Sequence, residues 1–270
     1  MVLGHLSRLF SVLGGVGVRL VWSAIARGVE GESGDAYGRQ APESRQQPVD
    51  LFSAISNKQV EVKFIARDDK QSVVRIENCT EQPVSVRLAE AFVGEPDVPY
   101  DREPAARTQT VGGSFPYEPM GRVSDENDGV MLHVEPGKEV QLPVRTVCLD
   151  PGLPPPRPDL SYQIRPVASH SANPALYELC RMLGQPGTKE NASQAAAWYL
   201  DDGLSWAALG AMHTPSPQGR LIPVFTASDI RLAKKLAAKA ISVAEQRQRH
   251  RDHPTRKEQI KRQTGAAPVP

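Results

Sequence analysis

The chain has 270 residues, with 32 Lys plus Arg against 31 Asp plus Glu and a formal net charge of +1. That balance excludes a surface given over entirely to nucleic acid. The 40% hydrophobic and 6% aromatic residues suffice for a core with few large anchors, and 24 prolines exclude an all-helical bundle.

Residues 9–26, LFSVLGGVGVRLVWSAIA, follow His5 and Arg8, and no acidic residue precedes Glu30. A basic start, an apolar run and the small-x-small exit Ala24-Ile25-Ala26 are the grammar of a secretory signal. Arg19 interrupts the run, which is costly at the centre of a bilayer. Residues 1–28 are expected to be a signal peptide or membrane anchor, with an over-extended start and a soluble amphipathic helix as the competing readings. Residues 29–57 turn to Gly, Ser, Gln, Arg and Glu, which predicts a disordered linker.

From Gln59 the period changes to two. Val60, Val62 and Phe64 alternate with Glu61 and Lys63, Val74 and Ile76 continue, and Val84, Val86 and Leu88 follow. Strands this close together predict an antiparallel arrangement, because parallel pairs need longer crossovers. Residues 94–128 lose the alternation and hold Pro96, Pro99, Pro104, Pro116 and Pro119, which predicts a disordered insert. Strand grammar resumes at Val130, Leu132 and Val134, and Glu135-Pro136-Gly137-Lys138 makes a turn. Val140, Leu142 and Val144 share one parity while Val147 and Leu149 take the other, so a bulge or strand end is expected at Arg145-Thr146. A proline-rich loop spans 150–159, and Tyr162, Ile164 and Pro166 close the β region. The fold class this implies is α+β, with an antiparallel immunoglobulin-like β-sandwich over residues 58–168.

Beyond Ser169 the grammar is helical. Asn173 caps Pro174, and Leu176, Leu179, Cys180 and Leu183 fall on one face until Gly184. A second helix spans 191–201, and Ser205 caps a short third. Pro215, Pro217 and Pro223 forbid helix in the connection that follows. Thr226 and Asp229 open a long last helix with Ile230, Ala233, Ala237, Ala240, Ile241 and Ala244 as its apolar seam. Residues 169–246 thus form a small helical subdomain, and 247–270 a basic disordered tail. From Glu245 to Gln263 seven Lys and Arg stand against three acids, suiting weak electrostatic contact with anionic polymers or lipids.

The chemistry of the side chains points away from catalysis. Cys79, Cys148 and Cys180 form no CxxC pair, leaving either one disulfide and a free thiol or three reduced thiols. No HExxH, GxSxG or phosphate-binding loop occurs, and His250-x-x-His253 is the only local ligand spacing. Asp68-Asp69 and Asp201-Asp202 read as turn and helix-end residues, and Trp198, Tyr199 and Trp206 as core. No catalytic, cofactor-binding or metal residues, and no small-molecule substrate, are assigned.

Two segments carry a resemblance. Residues 147–166, VCLDPGLPPPRPDLSYQIRP, and 191–209, NASQAAAWYLDDGLSWAAL, resemble a group of uncharacterised bacterial extracytoplasmic proteins of planctomycete type. In that group a strand ending in a Cys-Leu-acidic sequence occurs with a Gln-Ala-Ala-Ala-Trp helix. The resemblance covers roughly residues 60–210 and implies export without supplying an activity. The same segments also resemble thioester-domain adhesins of Gram-positive surfaces. That resemblance implies an internal thioester between Cys148 and Gln194, open to attack by a partner's amine. The competing reading packs Cys148 in the sandwich and lets Gln194 complete a helix cap after Asn191.

The function expected is that of a non-enzymatic extracytoplasmic protein, secreted or membrane-tethered, serving adhesion or scaffolding through its proline-rich loops. A leader that is not a signal would leave it cytoplasmic. The alternatives are covalent attachment through the thioester and a soluble regulator binding nucleic acid through its helices and basic tail.

Overall fold

The alternating segments do form antiparallel strands, most of which close into a barrel. In the computed structural model, residues 47–67, 70–97, 108–115 and 130–253 are described. All of them belong to a single unit, Arg45–Pro270.

Among the described residues nine strands precede the main helical region: β1 (Val49–Asp50), β2 (Val60–Ala66), β3 (Gln71–Asn78), β4 (Val84–Arg87), β5 (Phe92–Pro96), β6 (Val111–Ser114), β7 (Met131–Val134), β8 (Glu139–Cys148) and β9 (Tyr162–Arg165). Helix α1 (Leu51–Ser56) lies between the first two. Six strands close on themselves in the order β2-β3-β8-β6-β5-β9, every pair antiparallel. Strands β1, β4 and β7 form a separate mixed sheet, β1 parallel to β4 and β4 antiparallel to β7. The immunoglobulin-like sandwich is therefore incorrect. Alternation reports only which residues face the core. Two packed sheets and one closed sheet share that pattern, and the choice is made by pairings between distant strands such as β8 with β6 and β9 with β2. That last pairing is the slightest, a single register pair between Phe64 and Tyr162.

Phe64, Val74, Ile76, Phe92, Val111, Leu142, Val144, Cys148 and Tyr162 belong to one buried cluster. Its aromatic centre is Phe64, 5.9 Å from Phe92 and 5.5 Å from Tyr162 between ring centroids, both edge-on. The same cluster takes in Val84, Val86, Leu132 and Val134 of the side sheet and Leu51 and Ala54 of α1. Helix α1 falls inside the segment read as a linker. Its signals are the Asp50 cap, which accepts from the N–H groups of Phe52 and Ser53, and the apolar pair Leu51 and Ala54.

Two local expectations change for one physical reason, burial on both faces. The parity shift near Arg145 and Thr146 is not a bulge, because β8 runs unbroken to Cys148. Leu142, Val144 and Cys148 face the barrel interior, while Val147 and Leu149 join the helical core outside it. The segment 94–128, read as a disordered insert, contains β6, and Thr108–Phe115 is buried throughout. Gly112 and Gly113 erase the alternation there. A Cβ on Gly112 would lie 2.6 Å from the Cys180 sulfur, and one on Gly113 2.8 Å from Phe92. Residues 98–107 and 116–129 lie outside the described residues, as does the leader.

The helical grammar is realised as α2 (Pro174–Leu183), α3 (Glu190–Asp201), α4 (Trp206–Gly210) and α5 (Ala227–Asp252). The prolines between α4 and α5 enforce an exposed hairpin of β10 (His213–Pro215) and β11 (Leu221–Pro223). Asn173 caps α2, and both halves of the Thr226–Asp229 capping box form. Ala233, Ala237, Ala240 and Ala244 are buried, so the small-residue seam lets α5 lie close against α2 and α3. Helix α5 also takes in residues 247–252, the start of the segment read as a disordered tail. Trp198 meets Phe225 at 5.7 Å and Tyr199 stacks on Trp206 at 4.1 Å, so these aromatics join helices and the α5 entry to one another. Cys79 lies at the surface, and Cys148 and Cys180 are buried. Among the described residues no helix is long and apolar enough to cross a membrane.

Candidate functional site

Strand β8 ends where barrel, helices and proline-rich loop meet, and this junction gathers the residues singled out in the sequence. Gln194, on α3, reaches the end of β8. Its Oε1 accepts from the N–H of Cys148 at 2.9 Å, and its Nε2 donates to the Cys148 carbonyl at 2.7 Å. The side-chain amide thus extends the sheet like one residue of an added strand. The structure does bring Cys148 and Gln194 together, and the contact it shows is with Cys148's main chain. The cysteine side chain belongs to the barrel cluster. Gln194 does not complete the helix cap, since the cap position of α3 is Lys189 and makes no side-chain cap bond.

Two residues further, the Asp150 carboxylate accepts from the Thr110 N–H. From there the first part of the loop, Asp150 to Pro155, is pinned. Leu153 O accepts from Gln109 Nε2 at 3.0 Å, and Pro154 O from the Gln109 N–H at 3.1 Å. The Thr108 hydroxyl lies 3.0 Å from Pro154 O and 2.7 Å from Pro155 O. Tyr162 O–H donates to that same hydroxyl at 3.5 Å, and burial pushes the phenol up from its ordinary value. The outcome is a rigid, irregular ridge. Pro156 is buried, and Pro154, Pro155, Arg157 and Pro158 stand exposed.

A titratable group sits behind the ridge. His170, in the short 3-10 turn region after β9, pairs through Nε2 with Asp201 Oδ2 at 2.8 Å. That hydrogen bond holds the imidazole above its ordinary value, against a smaller opposing effect of burial. The neighbouring Asp202 is pushed up to about 6, first by partial burial of its carboxyl and then by Asp201 and Asp150. Asp201-Asp202 is thus a helix end, as the sequence suggests, with one carboxylate paired and the other crowded. Among the described residues no group of three His, Cys, Asp or Glu is placed to hold a metal ion.

A second junction fastens α5. Glu178 is 2% exposed, and its carboxylate meets Arg181 Nε at 3.0 Å and Arg247 Nε at 3.1 Å. Arg247 also reaches Glu90, which follows β4, at 3.2 Å, and Glu90 accepts from the Tyr177 hydroxyl at 3.0 Å. Burial and the Glu90 charge push that phenol to about 12. Burial likewise pushes the Cys180 thiol to about 12, which makes it a packing residue and not a nucleophile. Sequence reasoning placed neither Glu178 nor Glu90. A Glu between two apolar residues of a buried helix face, Tyr177 and Leu179, was the available signal.

No family model, curated protein or solved structure matches this chain.

Proposed function

We propose that the chain is a non-enzymatic interaction protein of an extracytoplasmic compartment, and that its recognition element is the ridge Asp150–Asp159. One observation carries this reading. Three consecutive residues, Leu153–Pro155, are fixed by hydrogen bonds from Thr108 and Gln109 to their carbonyls, and Pro154, Pro155, Arg157 and Pro158 face solvent. A preformed proline-rich segment costs little conformational entropy on binding, and aromatic-lined grooves recognise such segments through their rings. Arg157 adds a charge for register, although it already meets Asp159 at 3.3 Å. The export part rests on the basic-apolar leader and on the resemblance of residues 147–166 and 191–209.

The ridge is tested by affinity capture with the chain and with a Pro155→Ala/Arg157→Glu variant, both checked for equal melting temperature. A partner retained by the first and lost by the second is expected. An identical partner set for both would remove the ridge from recognition. A reporter fused after residue 40 tests the compartment, where cytoplasmic retention with an intact leader would overturn export.

A further inference from the structure

The large hydrophobic side chains most exposed among the described residues are not scattered. Leu221 is 71% exposed, Ile222 45%, Leu232 37% and Ile241 36%, and all four lie on the β10–β11 hairpin or on α5. All six strand residues of the hairpin are exposed, so it projects into solvent with aliphatic side chains on both of its faces. Leaving such groups in water is unfavourable, and Leu221 and Ile222, adjacent on the projecting hairpin, mark a contact surface.

Cations accompany them. Arg220 is exposed beside Leu221 at the hairpin turn. On α5, Arg231, Lys235 and Lys239 recur every four residues, and Ser242, Gln246 and Arg249 continue the line. This row is exposed throughout, opposite the buried seam Ala233, Ala237, Ala240 and Ala244, and no acidic residue falls within it. None of its four cations has an ion-pair partner among the described residues. Across the helix, Lys234 is 6.0 Å from the Trp206 ring.

We propose that the hairpin and the outer row of α5 form a docking surface for an anionic phospholipid bilayer. The cations meet phosphate headgroups, while Leu221 and Ile222 enter the boundary between headgroups and acyl chains. Charge complementarity selects an anionic partner, and the aliphatic groups select lipid over nucleic acid. A polynucleotide offers no apolar receptor for Leu and Ile and favours aromatic platforms. Tyr199 and Trp206 do not provide one, being half-buried and stacked on each other. This inference does not depend on the proline-rich ridge.

Flotation of the full chain with phosphatidylcholine vesicles, with and without phosphatidylglycerol, tests the surface. Binding is expected only with phosphatidylglycerol, and it is expected to fall about 25-fold in Lys235→Gln/Lys239→Gln, near fivefold per cation. A Leu221→Ser/Ile222→Ser variant is expected to fall about tenfold at unchanged charge. The leader is identical in all of these chains, so insertion through it appears as equal binding by every variant and both vesicle types. That result overturns the proposal. Tighter binding of duplex RNA or DNA than of the anionic vesicles at the same salt overturns it too. A second readout does not rely on lost affinity. An environment-sensitive dye on Leu221→Cys in a Cys79→Ser background is expected to shift to the blue on anionic vesicles, and an unshifted spectrum refutes insertion.

Discussion

Replacing Gln194 with Ala removes a donor and an acceptor at once and strands the N–H and C=O of Cys148 at a half-buried junction. The expected cost is about 2 kcal/mol of stability, read from urea unfolding. Gln194→Glu fills the same space but sets a carboxylate against the Cys148 carbonyl, so it does not restore the loss. Intact mass bears on the same pair. A mass equal to the sequence is expected, whereas loss of one ammonia would establish the Cys148–Gln194 thioester. Gly112 illustrates the opposite constraint, since any Cβ there meets the fully buried Cys180 sulfur at 2.6 Å. Gly112→Ala is expected to cost about 2 kcal/mol by overpacking. Cys180→Ala should relieve part of that cost in a double-mutant cycle, and strict additivity would show that the barrel adjusts elsewhere.

Single elements were legible in the sequence where one face is buried and the other is wet. The strands at Val60–Phe64 and Val130–Val134, the Asn173 and Ser205 caps and the Thr226–Asp229 box all have that character. Legibility failed at β6 and at the end of β8, where both faces are covered, and at α1, a helix too short to display a period. At the end of α3, charge adds a behaviour that periodicity does not report. His170 and Asp202 both hold protons more tightly in the folded chain than their ordinary values of 6.5 and 3.8 imply. The folded state therefore binds the extra protons, and stability falls as pH rises. The Asp202 contribution is lost between about 4 and about 6, and the His170 contribution as pH climbs above 6.5 through its raised value. Urea midpoints across this range should flatten in their lower part for Asp202→Asn and in their upper part for His170→Gln. Curves parallel to the parent would contradict the assignment.

At the scale of the molecule, two cores share one sheet, with aliphatic and aromatic residues inside the barrel and an alanine-rich helical layer outside it. No local pattern could reveal this, because closure and the ion network join residues far apart in the chain. Glu178 illustrates the point, since it touches Arg247 on α5 while Glu90 brings the barrel side into the same network. Glu178→Gln leaves two guanidinium groups facing a neutral amide and is expected to cost about 3 kcal/mol. Limited proteolysis should then cut α5 sooner than any barrel strand, and an unchanged cleavage pattern would show that the alanine seam alone holds the helix. Of the candidate sites, the Cys148–Gln194 neighbourhood was legible from two short segments. The pinning of the proline ridge was not, because its donors, Thr108 and Gln109, lie in a stretch without alternation.

The single Phe64–Tyr162 pair between β2 and β9 bears on how the barrel breathes. Strands β2 and β3 are separated by four residues of chain and share seven register pairs, whereas β2 and β9 come from opposite ends of the β region. Bringing those ends together costs the most chain entropy and returns the fewest hydrogen bonds. Native-state hydrogen exchange should therefore be quickest among barrel amides along β9, reached by sub-global opening, with β3 and β8 exchanging only on global unfolding. The ridge that follows β8 leads directly into β9, so strand opening there would release the ridge's far end and couple its order to that of the seam.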